Sequence, residues 1–292
     1  MSNPVPFDDR DGYIWFDGKI VPWREATIHV LNHGLHYGSC VFEGERVYHG
    51  KVFKLNEHTE RLHRSANLLG FALPFSVEAL NRATEEIVQK QNIVDGYVRP
   101  VAWRGSEQMA ILTTHSRIHV AIACWTWPAY YTDEAKRKGA KLTIEKHWKR
   151  PAPDTAPTAS KAAGLYMIGT ITKNQAHAGG FQEALMTDWR GYIAETTSSN
   201  FFLVIGGELH TPIPDCFLDG ITRRTVMELA RKRGIKVVER HITLDELSTA
   251  QEAFMTGTAA EVTPVGSIDA LTFTVGPVTT ALMDDYAKLV AE

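Results

Sequence analysis

Apolar residues recur along this chain with two periods. Around Asp17-Gly18 they alternate, as Tyr13-Ile-Trp-Phe before the pair and Lys19-Ile-Val after it. An Asp-Gly pair tolerates the positive φ of a tight turn, so residues 13–21 are predicted to form a β-hairpin. Residues 57–69 change to helical spacing, with Leu62, Ala66 and Leu69 on one face. A second helix is predicted over 76–92, where Ser76 suits the N-cap, Glu78 the first turn, and Leu80, Ala83 and Ile87 the apolar stripe. Strands are expected at 97–103 and 118–127.

The pattern breaks after Trp127. Residues 128–139 are polar and charged, and prolines crowd residues 150–157. The expected organisation is a small N-terminal domain over 1–127, a linker over 128–139 and a large C-terminal domain over 140–292. In the second half, a helix is predicted at 164–178, strands at 183–189 and 192–196, and a hairpin at 200–210 turning on Gly206-Gly207. A helix over 222–233 is stopped by Gly234. It is followed by a strand at 235–241, a short helix at 245–249 and a strand at 252–256. Pro277 opens a last helix, 277–291. Strands and helices mix without regular βαβ alternation, which predicts an α+β protein of two α/β-type domains, not a doubly wound sheet.

Composition narrows the function. The chain has 292 residues, 44% hydrophobic and 22% charged, enough apolar surface to exclude disorder as the dominant state. A net charge of −3 gives no basic excess for nucleic acid. No apolar run approaches the roughly 20 residues that span a bilayer, and polar, acidic residues 1–11 do not read as a signal peptide. Cys40, Cys124 and Cys216 are odd in number and far apart, so neither a disulfide framework nor paired zinc ligands is expected, and a reducing cytoplasm is. The histidines lack the His-Glu-x-x-His spacing, so no metal site is expected. The absence of Gly-x-Ser-x-Gly disfavours a serine hydrolase.

Some features carry candidate chemistry. Asp219-Gly-Ile-Thr precedes a predicted helix, where the Ile221 and Thr222 amides sit at the positive dipole end. Gly257-Thr-Ala-Ala follows a strand and offers a second small-residue turn. Arg61 lies in a helix with several basic residues, and Lys161 stands among the small residues of Ala159-Ser-Lys-Ala-Ala-Gly. Taken one at a time, these are ordinary caps, turns and solvated cations.

Together they resemble a family. The matching pieces are His36-Tyr-Gly-Ser-Cys-Val-Phe-Glu-Gly, His58-Thr-Glu-Arg-Leu, Tyr97-Val-Arg-Pro, Ser160-Lys-Ala-Ala-Gly-Leu-Tyr, Ala194-Glu-Thr-Thr-Ser-Ser-Asn-Phe-Phe, Leu218-Asp-Gly-Ile-Thr-Arg and Phe254-Met-Thr-Gly-Thr-Ala-Ala-Glu-Val-Thr-Pro-Val. Their order and spacing, over about residues 13–270, resemble the fold-type IV pyridoxal-phosphate enzymes. The closest likeness is to the bacterial branched-chain-amino-acid aminotransferases. The resemblance implies transamination between L-leucine, L-isoleucine or L-valine and 2-oxoglutarate. It also implies a homodimer, because in that family some pocket residues come from the partner subunit.

The resemblance also implies roles for residues. Lys161 would bond covalently to pyridoxal phosphate and move the proton between Cα and C4′. Glu195 would face the pyridine nitrogen and keep it protonated. Tyr166, five residues after Lys161, would hydrogen-bond the phenolic oxygen. Arg61, the Ile221 and Thr222 amides and Thr258 would cradle the phosphate. The amides of Thr258 and Ala259, with the Tyr97 hydroxyl, would hold the α-carboxylate. Tyr37, Phe42, Tyr166 and Trp127 would line an apolar pocket, with Tyr130 and Met109 contributing. Arg99, two residues along the strand from Tyr97 and so on the same face, would meet the second carboxylate of 2-oxoglutarate, with help from Arg46.

The chain departs from the family after Glu195. The usual Glu-Gly-x-Gly-Glu-Asn is here Glu195-Thr-Thr-Ser-Ser-Asn, so hydroxyls replace glycines and Ser199 replaces a glutamate that often buttresses the arginine. Serines at this place also occur in D-amino-acid transaminases. The alternatives within the fold are therefore a D-amino-acid or (R)-amine transaminase, or an aminodeoxychorismate lyase. A non-catalytic cofactor-binding protein is the alternative outside enzymes. Tyr97-Val-Arg99 is the branched-chain pattern and favours the L-branched-chain reading.

Overall fold

The computed structural model describes residues 5–127 and 138–292. Chain contacts divide the protein into two units. One comprises Met1–Pro128 with Ser160–Gly164, the other Ala129–Ala159 with Leu165–Glu292. The expected linker, apart from residues 138 and 139, lies outside the described residues, as does Tyr130.

The first unit opens with the predicted hairpin, β1 (Tyr13–Phe16) and β2 (Lys19–Pro22), paired Phe16 to Lys19. Asp17 and Gly18 take φ of 47° and 88°, as the turn demands. A short helix α1 (His33–Tyr37) leads to β3 (Cys40–Phe42), β4 (Glu45–Tyr48) and β5 (Lys51–Val52). Helices α2 (Leu55–Leu68) and α3 (Val77–Lys90) follow, with the Ser76 hydroxyl capping α3 by accepting from the Ala79 amide at 3.2 Å. Long strands β6 (Gly96–Arg104) and β7 (Ile118–Thr126) complete a sheet of order β2-β1-β7-β6-β4-β5, with β3 also on β6.

Both β3 and β4 lie along β6, opposite residues 101–103 and 96–98 respectively. Between them the ladder is interrupted at Glu43-Gly44, and Pro100 of β6 stands opposite, accepting from the Glu43 amide at 2.8 Å. A proline is tolerated in this central strand because its missing N–H falls where the neighbouring strand breaks. One sheet face packs Val41, Val47 and Val98 against Leu62, Ala66, Leu80 and Ile87 of the helices. The other face carries Tyr97 and Arg99.

The second unit is built on β8 (Ala140–Ile144), helix α4 (Tyr166–Ala178), β9 (Glu183–Thr187), β10 (Ile193–Thr196), β11 (Asn200–Ile205) and β12 (Glu208–Thr211). Next come α5 (Ile221–Lys232), β13 (Val237–Glu239), β14 (Glu252–Gly257), β15 (Glu261–Ile268), β16 (Leu271–Thr272) and α6 (Pro277–Ala291). The strand order is β10-β9-β8-β15-β14-β11-β12-β13, and a further β10–β11 pairing closes β10 to β11 into a ring. Phe201, Leu203, Met255, Leu142 and Val265 pack its interior core. Parallel β8–β9 and antiparallel β14–β15 pairs coexist, as the mixed α+β reading expects.

Candidate active site

In the first unit, α2 carries an inward stripe of His58, Arg61, Leu62, Ser65 and Ala66, all buried. Their i, i+3, i+4, i+7, i+8 spacing puts them on one face. Leu62 and Ala66 meet the core, while His58, Arg61 and Ser65 meet polar partners. Glu43 is fully buried and accepts from Arg61 Nε at 2.7 Å and Nη2 at 2.8 Å. Its Oε2 also lies 2.7 Å from His58 Nδ1. Burial alone would raise the Glu43 carboxyl. The Arg61 charge and the hydrogen bonds from Arg61 and His58 outweigh it and hold Glu43 well below the usual carboxylate range. Burial lowers His58, and the Glu43 contact does not offset that, so the imidazole is neutral at neutral pH. The His58–Glu43 contact is therefore a hydrogen bond from Nδ1–H to an ionised acceptor and not an ion pair.

Ser65 ties Lys161 to the same helix. The Lys161 amide donates to Ser65 Oγ at 3.0 Å, and Ser160 Oγ donates to the Ser65 carbonyl at 3.0 Å. The Phe42 amide donates to the Lys161 carbonyl at 3.1 Å, and Val41 bridges Ala162. Residues 161–162 thus extend the edge of β3. Lys161 Nζ stands 5.0 Å from the centre of the Phe42 ring.

On the other sheet face, Arg99 Nη2 donates to the Tyr97 hydroxyl at 3.0 Å. Its guanidinium lies over the Phe42 ring at 4.7 Å, while its buried Nε has no hydrogen-bond partner among the described residues. Trp127 packs against Tyr97 with ring centres 4.5 Å apart, and its carbonyl accepts from Arg46 Nη1 at 3.2 Å. Gly44 is required here, because a Cβ would overlap the Tyr97 hydroxyl. Tyr37 is half exposed on α1 and packs on His33 at 4.7 Å. Met109 is exposed.

In the second unit, Glu195 is buried on β10. Arg150 Nη2 reaches its Oε1 at 3.1 Å and Asn200 Nδ2 donates to Oε2 at 3.2 Å. Arg150 also donates to the Thr196 and Thr197 carbonyls, each at 3.0 Å. The substituted stretch after Glu195 is a closed turn. The Thr196 amide donates to the Ser199 carbonyl at 2.8 Å, and Thr196 Oγ1 accepts from the Ser199 amide at 3.1 Å. The Thr197 hydroxyl donates to fully buried Glu183, which also binds Lys173 Nζ at 2.7 Å. Hydroxyls here satisfy turn backbone and a buried carboxylate.

Helix α5 begins at Gly220, with no side chain capping the first-turn amides of Ile221 and Thr222. A Cβ on Gly220 would overlap Asn200 Oδ1, so the glycine lets the helix start lie against β11. Thr258 and Ala259 lie in the turn joining β14 to β15, next to Thr256, whose buried hydroxyl has no partner among the described residues. Tyr166 opens α4 and lines a cavity of about 220 Å³ with Gly169, Thr170, Thr197 and Ser198. Uncapped amides, an orphaned hydroxyl, a glycine cradle and a carboxylate held by Arg150 and Asn200 form a donor set suited to a phosphorylated pyridine. Asp188, Asp215 and Cys216 also converge in this unit, but Arg190 bonds both carboxylates, at 2.8 and 2.7 Å, and answers their charge.

The structure gathers Lys161, Arg61, Phe42, Tyr97, Arg99 and Trp127 in the first unit and Tyr166, Glu195, Ile221, Thr222, Thr258 and Ala259 in the second. Sequence reasoning gave no role to Glu43, Ser65 or Arg150. Ser65 had a signal, since the spacing 58, 61, 65 predicts one shared polar face on α2, whereas Glu43 lies in the break between β3 and β4. Arg150 was hidden by the prolines around it.

Residues 40–268 match the amino-transferase class IV family. A branched-chain-amino-acid aminotransferase of Pseudomonas aeruginosa is 41% identical over 290 residues, covering 97% of this chain and 94% of its own. The Escherichia coli K12 enzyme of the same name is 38% identical over 286 residues, with 95% and 92% covered. Among solved structures, the Escherichia coli branched-chain amino acid aminotransferase is similar at TM-score 0.92 and 38% identity, covering 96% of this chain and 95% of that one. A T.th. branched-chain amino acid aminotransferase solved with pyridoxamine 5′-phosphate is similar at TM-score 0.93 and 39% identity, covering 97% and 95%.

Proposed function

The chain belongs to the class IV amino-transferase family, and from that premise we propose that it transfers the amino group of L-leucine, L-isoleucine or L-valine to 2-oxoglutarate, using pyridoxal 5′-phosphate. The products are branched-chain 2-oxo acids and L-glutamate. The observation that carries the reading is the Tyr97–Arg99–Phe42 arrangement, an aromatic wall and a held cation on one sheet face. A pocket that admits an isobutyl group in one half-reaction and a propionate in the other needs both, because a carboxylate stranded among apolar groups is costly.

When bound, pyridoxal phosphate supplies the carbonyl that takes up the amino group and a ring that withdraws electrons. Lys161 would hold it covalently and would move the proton between Cα and C4′. Glu195, oriented by Arg150 and Asn200, would keep a proton on the ring nitrogen. Tyr166 would hydrogen-bond the phenolic oxygen. Arg61, the Ile221 and Thr222 amides and Thr258 bind the phosphate. The Tyr97 hydroxyl and the Thr258 and Ala259 amides hold the α-carboxylate. Tyr37, Phe42 and Trp127 exclude water from the side chain, and Arg99 receives the second carboxylate.

The working form is a homodimer. Ile28, Val30, Leu31, Leu35 and Tyr37 are exposed, as are Met109, Ile111 and Leu112. The two segments are joined where the His33 amide donates to the Gly105 carbonyl at 3.0 Å and His33 Nε2 lies 3.0 Å from the Ala110 carbonyl. An apolar cluster of this size calls for a cover, and a second copy supplies it. The compartment is the cytoplasm, in keeping with three free cysteines. No described helix is long and apolar enough to cross a membrane.

The test is single-turnover absorbance of the loaded enzyme with L-leucine, D-alanine and an (R)-amine. L-leucine should convert the cofactor spectrum fast and the other two slowly or not at all. Comparable conversion by D-alanine or the amine would replace this reading with the D-amino-acid or amine alternative, for which the hydroxyl-rich 196–199 stretch is the motif.

A further inference from the structure

We infer that Glu43 is a positioning residue, a buried clamp on α2 that sets the orientation of Arg61 and His58 for the phosphate end of the cofactor. The inference rests on the reading of Arg61 as a phosphate ligand. Glu43 occupies the break in the strand next to β6, where its amide bonds the Pro100 carbonyl at 2.8 Å and Gly44 adds no side chain. That break turns a carboxylate inward with no solvent contact. Both its oxygens are used, on the Nε–Nη2 edge of Arg61 and on His58 Nδ1. A planar guanidinium gripped along one edge has no rotational freedom left, so Glu43 dictates where the rest of Arg61 points. The same carboxylate fixes the His58 tautomer with the proton on Nδ1. Ser65, on the same face of α2 as His58 and Arg61, holds the Lys161 amide at 3.0 Å, so the clamped helix also carries the lysine's backbone.

Glu43 also cancels the formal charge of Arg61. A buried pair of this kind is weak evidence for stability, because desolvation opposes the attraction. A device meant only to attract phosphate would leave the arginine uncompensated. The clamp therefore serves geometry, with Arg61 acting on the phosphate through aimed N–H donors. Two residues on, Glu45 is also fully buried, yet both its oxygens lack hydrogen-bond partners among the described residues. Only one of the two neighbouring carboxylates makes the clamp, which provides an internal control.

The experiment compares cofactor dissociation constants and the 31P resonance of bound pyridoxal phosphate in wild type, Arg61→Ala, Glu43→Gln, Glu43→Asp and Glu45→Gln, with circular dichroism to monitor folding. Glu43→Gln sets an amide N–H against an Arg61 N–H and should weaken cofactor binding about 10- to 100-fold, as loss of a partner that orients a ligand group does. Its 31P resonance should shift and broaden. Glu43→Asp keeps the charge but shortens the reach, and should show the same 31P change if Glu43→Gln does not fold. Glu45→Gln should match wild type in both readouts. Tighter binding in Glu43→Gln would mean that charge and not orientation governs, overturning the inference. So would unchanged binding and 31P shift in the folded Glu43 variants while Arg61→Ala loses cofactor, because the clamp would then be structural only. Unchanged binding in Arg61→Ala would instead remove the phosphate reading of Arg61, and the clamp with it.

Discussion

Arg150 and Glu195 form a buried ion pair, Nη2 to Oε1 at 3.1 Å, and the same nitrogen holds the carbonyls of Thr196 and Thr197 at 3.0 Å. One side chain thus fixes both Glu195, the carboxylate proposed for the ring nitrogen, and the turn that follows it. Removing one partner of a buried pair leaves the other uncompensated and costs about 3–5 kcal/mol. Arg150→Met should therefore lower the stability of the protein by that order, read as a lower urea midpoint at an unchanged slope. A midpoint equal to wild type would mean that the other partners of Glu195, Asn200 among them, satisfy it without Arg150.

Glu45 imposes a pH dependence of known sign. Burial raises its carboxyl well above the ordinary range, the Glu43 charge adds to this, and Arg61 offsets only part. A group raised in the fold contributes stability that is complete below its unfolded value, about 4.3, and is lost as pH rises toward its folded value. In that window the loss is about 1.4 kcal/mol per pH unit. Glu45→Gln cannot titrate, so its stability advantage over wild type should grow with pH. Urea midpoints of both proteins across the acid-to-neutral range test this, and a gap constant with pH would show that Glu45 ionises in the fold as it does in water.

Arg99 should separate the two half-reactions. It is held in its own unit by the Tyr97 hydroxyl at 3.0 Å and the Phe42 face at 4.7 Å, while its Nε has no hydrogen-bond partner among the described residues. A charge-assisted hydrogen bond is worth about 1.5–3 kcal/mol, so Arg99→Leu should slow the L-glutamate half-reaction about 10- to 150-fold more than the L-leucine one. Stopped-flow measurement of each half-reaction is the test. Equal losses would assign Arg99 to the fold or to the α-carboxylate.

Helices and hairpins with clean periods were legible in the sequence. The Asp17-Gly18 hairpin, the Ser76-capped helix and the 200–210 hairpin lie where the pattern puts them. Strand ends were overrun, as at Trp189, which lies in an exposed turn beyond Thr187. Strands β3 and β4 gave no signal, because Glu43, Gly44 and Glu45 break the alternation. Glu45 in particular occupies a core-facing position where an apolar residue is expected. In β15, Pro264 and Gly266 read as punctuation. The return of residues 160–164 to the first unit is a tertiary event with no local code, yet it decides the surroundings of Lys161. Family membership was legible as colinear motifs. Ser65 shared the polar stripe of α2, while Glu43 and Arg150, partners of proposed site residues, became visible only through packing.

The most direct test of transamination at Lys161 is product formation by the purified, cofactor-loaded protein given L-leucine and 2-oxoglutarate. Wild type should yield 4-methyl-2-oxopentanoate and L-glutamate in equal amounts, and borohydride reduction followed by peptide mass mapping should find the phosphopyridoxyl group on Lys161. Lys161→Ala should fold, form neither product at a comparable rate and carry no reducible cofactor. Sustained turnover by Lys161→Ala, or recovery of the group on Lys173 or Lys141, would contradict that assignment.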